Sequence, residues 1–224
     1  MGGIFVAQQA EELVKQGCSI QVVSPLPWVP KLFARFNPRW SKLRTVPLQA
    51  KLNGIQVYYP RVPVFPKRIA YFLVPYLYCF FLRKLITLLF KEFGFSLIHA
   101  HTALPDGYAG MLIAKKLNLP LIVTIHGYDL DPNNTKHLVW RSMLKTVLNT
   151  ADRVVFVSSY LSKLAAVGFG TMVGKTRIVY NGITLPLSTV QVVPKLNERL
   201  VILAVGNLIP RKGINILLKA FNLL

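Results

Sequence analysis

Acidic side chains are scarce in this sequence and are missing from one long stretch of it. Only 8 of the 224 residues are Asp or Glu, against 27 Lys and Arg, so the net charge is +19. No acidic residue occurs between Glu12 and Glu92, an interval that holds 13 of the Lys and Arg together with many aromatic residues. A stretch of this kind predicts a surface that binds an anionic partner.

Cysteine and long apolar runs are also in short supply. Cys18 and Cys79 are too few for a disulfide framework and have no metal-ligand spacing, which favours a reducing compartment. The N-terminus has no basic start followed by an apolar core, so we expect no signal peptide. The uncharged run over residues 69–82 is shorter than the ~20 residues that cross a bilayer, so we expect no membrane-spanning helix. The sequence therefore predicts a cytoplasmic protein.

The basic and aromatic residues are concentrated in residues 28–91. We expect this region to dock on the inner face of the cell membrane, because Lys and Arg attract anionic lipids and aromatic rings settle at the headgroups. Nucleic acid is the rival partner for such a charge, but no nucleic-acid module is visible, so we expect no nucleic-acid binding. The apolar pattern over residues 68–93 fits either a core helix or a helix lying in the membrane interface.

Short apolar runs alternate with amphipathic stretches along most of the chain. This alternation predicts an α/β fold with a doubly wound parallel sheet, in which each parallel return needs a helical crossover. Residues 25–47 contain five prolines and predict an irregular loop. Gly2 and Gly3 precede a helix, whereas glycine pairs normally follow a strand in this architecture, so we expect that the first strand is missing.

The domain organisation follows from composition. Residues 1–184 predict one domain, and residues 185–198, with Pro186 and Pro194, predict a linker. Residues 199–224 predict the beginning of a second domain, in which an apolar strand over residues 200–205 leads into a helix. We therefore expect a chain truncated at both ends.

Polar residues cluster where two predicted strands end. His99 and His101 alternate, so in a strand they share one face, and His126 follows the next apolar run. Ligands bind outside the carboxyl ends of parallel strands, so we expect the active site there. A zinc site at His99 and His101 is conceivable, but no third ligand is evident. Asp129 and Asp131 spell a short Asp-x-Asp pattern, which arises often by chance and carries a metal role only weakly.

Three other features have both a structural and a functional interpretation. Asp106 is most economically the N-cap of the following helix, and Asn181-Gly182 is ordinarily a turn. Arg211 and Lys212 come just before a helix, where cations oppose the helix dipole. Either they form a solvated basic turn, or they join the helix N-terminus in binding a phosphate.

Taken together, these stretches resemble family four of the retaining glycosyltransferases, which have the GT-B fold of two Rossmann-like domains facing across a cleft. The matching segments occur in the family's order and spacing: GIFVAQQAEEL, SLIHAHTALPDGYAG, TIHGYDL, IVYNGI and GNLIPRKGINILLKAF. The likeness is greatest to members that build cell-envelope polysaccharides such as teichuronic acid, where a similar PLPWVP loop occurs.

The resemblance implies transfer of a sugar, with retention and without a metal or other cofactor, from a nucleotide diphosphate-sugar donor to a lipid-linked glycan acceptor. His126 would contact the donor sugar as the catalytic residue. The residues near the donor would be Gly2, Gly3, Asn181, Gly182, Arg211 and Lys212, and those on the acceptor side would be His99, His101 and Asp106. Asn207 and Thr184 depart from the family pattern, and the Glu-x7-Glu segment that grips the donor is absent from the sequence. The alternative is a non-catalytic, membrane-surface-binding remnant of such an enzyme.

Overall fold

The computed structural model describes residues 3–34, 38–64, 70–170, 174–183, 202–206, 208 and 212–223. The chain divides into two compact units, Met1–Ile183 and Thr184–Leu224. The predicted linker, residues 185–198, lies outside the described residues, as do Gly2, Thr184, Asn207 and Arg211.

The first unit alternates helices and strands along most of its length. Its helices are α1 (Ile4–Lys15), α2 (Lys31–Ala34), α3 (Pro38–Thr45), α4 (Val74–Glu92), α5 (Tyr108–Leu117), α6 (Pro132–Thr135), α7 (Leu138–Thr150) and α8 (Ser159–Phe169). Its strands are β1 (Gln21–Val23), β2 (Leu26–Pro27), β3 (Gln49–Leu52), β4 (Ile55–Tyr58), β5 (Arg61–Val62), β6 (Ile98–His101), β7 (Leu121–Ile125), β8 (Arg153–Phe156) and β9 (Thr176–Ile178).

The largest sheet among the described residues has the strand order β6-β7-β8-β9, and every neighbouring pair is parallel. Of its central strands, β7 is almost entirely buried and β8 buries Val154 and Phe156, as expected for a parallel sheet covered by helices. Helix α7 contributes buried residues at helical spacing, Trp140, Leu144, Val147 and Leu148, so one face of it packs into the core. The predicted α/β fold with a parallel sheet is confirmed.

The strands nearer the N-terminus form two smaller ladders. β1 pairs in parallel with β4, and β3 pairs antiparallel with β4 through a hairpin at Asn53-Gly54. Both turn residues have positive φ, 47° and 86°, which is the conformation that a two-residue hairpin turn requires. Helix α1 packs Ala10 against this sheet. β2 pairs in parallel with β5.

The prediction of an irregular loop over residues 25–47 was wrong. This segment contains β2 and the helices α2 and α3. The prolines stand where each element tolerates them: Pro27 ends a two-residue strand, and Pro38 is the first residue of α3, where a missing N–H costs nothing.

Helix α4 and the 3₁₀ turn before it, Tyr71–Leu73, form the most apolar helical segment. By length and composition, Tyr71–Glu92 is the one described helix that could cross a membrane. Only Val74, Pro75, Leu82 and Leu89 of α4 are buried, and the helix contacts α5 and β5. One face of α4 therefore packs on the domain, and most of the helix surface is exposed.

In the second unit, the predicted strand over residues 200–205 was wrong for the residues that the structure describes. Residues 202–205 are exposed and lie outside any strand. A strand needs a ladder partner for its N–H and C=O groups, and the described part of this unit offers none. The predicted helix is present as α9 (Ile214–Phe221), and Gly213 precedes it with a φ of 66°.

Candidate active site

The two strands that carry histidines end at the same edge of the parallel sheet. β6 and β7 pair with His101 opposite Thr124, and His126 directly follows the last residue of β7. The parallel register therefore brings His101 and His126 together across 25 residues of chain. This edge is where ligands bind in open α/β sheets.

Three imidazole rings form a cluster at this edge. His101 Nδ1 and His126 Nε2 share a hydrogen bond of 3.1 Å. The rings of His99 and His101 lie 4.4 Å apart, on one face of β6 as their alternation predicts. His99 Nε2 lies 2.8 Å from the hydroxyl of Thr124, which is buried in β7. We call His99, His101 and His126 the histidine cluster.

The histidine cluster is uncharged at neutral pH. Burial, together with a smaller contribution from the neighbouring His126, lowers the pKa of His99 to about 4. Burial also lowers the pKa of His101 to about 3, with added contributions from His99 and His126. The pKa of His126 is lowered by burial as well. Each ring therefore offers one N–H donor and one bare nitrogen.

A buried carboxylate joins the loops that follow β6 and β7. Gly127 has a φ of 101°, so the chain turns directly after His126 into the 3₁₀ turn Tyr128–Leu130. Asp129 Oδ1 accepts the backbone N–H of Ala103 at 2.9 Å and of Leu104 at 3.2 Å. Burial raises the pKa of Asp129 to about 6, although these two hydrogen bonds oppose the increase.

The Asp-x-Asp pattern does not form one site. Asp129 bonds the loop after β6, whereas Asp131 Oδ1 accepts the backbone N–H of Asn133 at 2.9 Å and caps α6. Both carboxylates are thus engaged by backbone donors. Within the described residues, no group of three or more His, Cys, Asp or Glu side chains is placed to hold a metal ion.

The prediction that Asp106 caps the following helix was wrong. Asp106 lies inside a distorted helical turn, Ala103–Gly107, and the residue before α5 is Gly107, which already has helical φ and ψ. The side chain of Asp106 instead accepts the hydroxyl of Thr102 at 3.0 Å. Burial raises its pKa to about 6, and the Thr102 hydrogen bond moderates the increase. Asp106 therefore joins the site through Thr102, the residue after His101.

Sequence reasoning missed two residues that shape this edge. Thr124 is the polar residue within the apolar run of β7, and that interruption was the available signal for a partner of His99. Gly107 lies where an added Cβ would be 3.0 Å from Thr102 O and 3.3 Å from Val123 Cγ1 and Val147 Cγ1. No local sequence pattern predicts this close contact, because it involves Val123 in β7 and Val147 in α7, which are distant from Gly107 in the sequence.

The remaining predicted residues of the first unit lie at other places. Gly3 precedes α1 with a φ of 105°, and an added Cβ there would meet no atom within 4 Å. Asn181 and Gly182 are exposed and follow β9. Because β9 is parallel to β7 and two strands away, Asn181 and Gly182 follow the same edge of the sheet as His126.

In the second unit, Lys212 is exposed just before Gly213 and α9. Its alkyl chain lies close to Gly206, since a Cβ on Gly206 would be 3.8 Å from Lys212 Cγ. Lys212 therefore lies next to the N-terminal end of α9, where the sequence placed it.

Comparison with known sequences identifies a family. The family model described as Glycosyltransferase Family 4 matches residues 2–186. An uncharacterized glycosyltransferase of Methanocaldococcus jannaschii is 30% identical over 129 residues, which are 57% of this chain and 34% of that protein. TuaC of Bacillus subtilis, named as a teichuronic acid biosynthesis glycosyltransferase, is 27% identical over 170 residues, which are 73% of this chain and 41% of that protein. The chain thus spans well under half the length of these relatives.

Two solved structures are also similar. The crystal structure of LpCGTa in complex with UDP is 15% identical, with a TM-score of 0.45, and the match covers 84% of this chain and 52% of that one. UGT73P12 of Glycyrrhiza uralensis, complexed with glycyrrhetinic acid 3-O-monoglucuronide, is 13% identical with a TM-score of 0.40. The match covers 79% of this chain and 45% of that one.

Proposed function

The chain belongs to glycosyltransferase family 4, and we propose that it is an enzyme that transfers a sugar, with retention, from a nucleotide diphosphate-sugar to a lipid-linked glycan. The reaction would take place in cell-envelope polysaccharide synthesis at the inner face of the membrane. The observation that supports this proposal most directly is the histidine cluster at the carboxyl edge of the parallel sheet. Its three neutral rings suit hydrogen bonding to an uncharged, hydroxyl-rich ligand.

His126 is the residue proposed to contact the donor sugar. It is half-buried and directly follows β7. Gly127, the next residue, leads the chain into the 3₁₀ turn Tyr128–Leu130. A neutral imidazole can donate to or accept from a sugar hydroxyl without the desolvation cost of a charge. His99, His101 and Asp106 are the residues proposed for the acceptor side: His101 bonds His126, His99 lies beside His101, and Asp106 bonds Thr102, the residue after His101. Burial favours the neutral form of all three side chains.

The leaving nucleotide diphosphate needs positive partners, because negative charge develops on it as the glycosidic bond breaks. Lys212 and Arg211 are proposed to supply this charge without a metal. Gly2 and Gly3 would lie near the phosphates, where the absence of a side chain permits close approach. Asn181 and Gly182 would line the donor site from the end of β9.

A transfer assay with matched histidine variants tests the proposal. The chain is incubated with radiolabelled nucleotide diphosphate-sugars and a bacterial lipid extract, and label in the lipid phase is counted. His126→Ala should reduce transfer by a factor of about 100 or more, the scale of one positioned catalytic group. His137→Ala is the control, because His137 is exposed and lies outside the histidine cluster. If the unchanged chain transfers label, equal transfer by the His126→Ala variant would refute the role of His126.

A specific surface supports a second candidate, a membrane-binding protein without catalysis. Exposed aromatic and apolar residues follow each other at helical spacing along α4 and its preceding turn: Phe72, Tyr76, Phe80 and Leu88. Arg83, Lys84 and Lys91 are exposed on the same helix, and Arg83 lies 4.6 Å from the centre of the Phe80 ring. We call these seven residues the α4 ridge.

Vesicle binding together with the transfer assay separates the two candidates. Both predict binding to anionic vesicles that weakens with salt, because the Debye length falls from about 10 Å at 0.1 M salt to about 3 Å at 1 M. Only the enzyme predicts label in the lipid phase. Binding without any transfer would favour the second candidate, and equal binding to neutral and anionic vesicles would refute the membrane role in both.

A further inference from the structure

The position of the proton in the hydrogen bond between His101 and His126 determines whether the other nitrogen of His126, Nδ1, is a donor or an acceptor toward a ligand. Both rings are neutral, so each carries one N–H. If His101 Nδ1 holds the shared proton, His126 Nε2 accepts and the proton of His126 must sit on Nδ1. If His126 Nε2 holds it, His126 Nδ1 is bare. The tautomers of the two rings are therefore coupled through the 3.1 Å contact.

We propose that His101 is a positioning residue that donates from Nδ1 to His126 Nε2 and thereby keeps His126 in the tautomer with its proton on Nδ1. His126 then presents a fixed N–H donor to a sugar hydroxyl or phosphate oxygen. The direction of this donation and the purpose assigned to it rest on the proposed function, whereas the coupling of the two tautomers rests on the 3.1 Å contact alone.

The surroundings of His126 give this role to His101. Histidine tautomers are commonly set by a carboxylate or a backbone carbonyl that accepts from one nitrogen. Among the described residues, His101 is the hydrogen-bond partner of the His126 ring, and no carboxylate forms a hydrogen bond with that ring. A donor rather than an acceptor toward the ligand also suits this site, since phosphate oxygens and the ring oxygen of a sugar only accept hydrogen bonds.

His101 is itself held in place by its neighbours. The ring of His99 lies 4.4 Å from that of His101 at an interplanar angle of 31°, and His99 is tied to Thr124 by the 2.8 Å hydrogen bond. Thr124 belongs to a central strand of the sheet and stands opposite His101 in the ladder. The imidazole of His101 is thus supported by β6 and β7, and its Nδ1 stays within reach of His126.

Nuclear magnetic resonance can read the tautomer directly. Long-range ¹H–¹⁵N correlations of the imidazole rings distinguish a protonated from a bare nitrogen, and they are recorded on the ¹⁵N-labelled 224-residue chain at pH 7.5. His126→Asn assigns the signals of interest by their loss, and exposed His137 serves as the internal reference for a ring free of the cluster. We expect His126 to show a protonated Nδ1 and a bare Nε2. A protonated Nε2 on His126 in the unchanged chain overturns the proposal, so the test does not depend on any variant being folded.

Two variants of His101 separate positioning from simple packing. His101→Asn keeps an N–H donor attached to Cγ, at the position of Nδ1, whereas His101→Leu keeps bulk but has no donor. The leucine variant should release His126 into mixed tautomers dominated by Nε2–H, the form that free imidazoles favour. The asparagine variant should restore Nδ1–H. The same His126 tautomer in both variants overturns the proposal.

Ligand binding then tests the purpose separately, with UDP-glucose as the probe. We expect His101→Leu to weaken its binding by about tenfold, the value of one neutral hydrogen bond. His101→Asn should bind within about twofold of the unchanged chain. A fixed tautomer in a chain that binds no nucleotide-sugar would leave the positioning role in place and count against the proposed function. Equal weakening by both variants would count against positioning and in favour of packing.

Discussion

Asp129 Oδ1 accepts the backbone N–H of Ala103 at 2.9 Å, and this bond ties the loop after β7 to the loop after β6. Asp129 is fully buried, and within the described residues its second oxygen, Oδ2, has no hydrogen-bond partner. The bond holds together the two loops that begin at His101 and His126. The loops that carry the histidine cluster are therefore held by a carboxylate that forms no hydrogen bond with its three rings.

The first prediction concerns this carboxylate. Asp129→Ala leaves the buried N–H groups of Ala103 and Leu104 without their acceptor, and each costs about 1–3 kcal/mol when unsatisfied. We expect the free energy of unfolding to fall by about 2–6 kcal/mol in urea denaturation. Asp131→Ala is the control, and it should cost only about 1 kcal/mol because it removes one N-cap. Equal losses in the two variants would contradict the bridging role of Asp129.

The second prediction compares one change at two glycines. In Gly107→Ala the new Cβ would be 3.0 Å from the backbone oxygen of Thr102, so that segment must shift. We expect a loss of about 1–3 kcal/mol, the usual cost of overpacking. Gly168→Ala places the same methyl in helix α8 with no atom within 4 Å, and alanine there should stabilise by about 0.5–1 kcal/mol. Thermal unfolding of both variants measures the difference. A Gly107→Ala variant as stable as the unchanged chain would contradict the contact.

The third prediction is a loss of stability on acidification. The pKa values of His99 and His101 are lowered in the fold to about 4 and about 3, so the unfolded chain binds more protons below about pH 6.5. Each full proton of difference removes about 1.4 kcal/mol per pH unit. Unfolding free energies measured between pH 7.5 and pH 5 should therefore decrease.

Asp129 opposes this trend, because its pKa is raised to about 6 and the folded chain holds a proton that the unfolded chain loses above about pH 4. Because His101→Asn removes one of the histidines whose pKa is lowered, that variant should lose less stability between pH 7.5 and pH 5 than the unchanged chain. Asp129→Asn should lose more. The opposite order of the two slopes would show that these groups do not titrate as the structure indicates.

The fourth prediction concerns the α4 ridge. Arg83→Glu with Lys84→Glu should weaken binding to anionic vesicles at least about tenfold, because each basic residue near such a surface contributes about 1 kcal/mol. Lys115→Glu with Lys116→Glu is a control of equal charge, since both lysines are exposed at the end of α5. Vesicle sedimentation measures both. Equal weakening would assign the binding to net charge rather than to the α4 ridge.

Local patterns sufficed where the structure depends on near neighbours. The alternation of His99 and His101 placed both rings on one face of a strand, and the apolar runs around them indicated parallel strands. Patterns failed where a side chain had several partners to choose from. Asp106 had the spacing of a helix cap, yet the turn before α5 was already helical and the carboxylate bonded Thr102. The prolines of residues 25–47 suggested a loop, yet they stand at the ends of short elements.

The sequence by itself determined the α/β class, the family and the set of polar residues at the strand ends, because hydrophobic periodicity and motif order are local properties of the chain. Only the tertiary structure decided how these residues bond to one another. The parallel register brought His101 beside His126. The loops after β6 and β7 lie close enough for Asp129 to accept the backbone N–H of Ala103. Contacts between residues 25 or 26 positions apart depend on which strands pair, and strand pairing is settled by burial of the whole sheet.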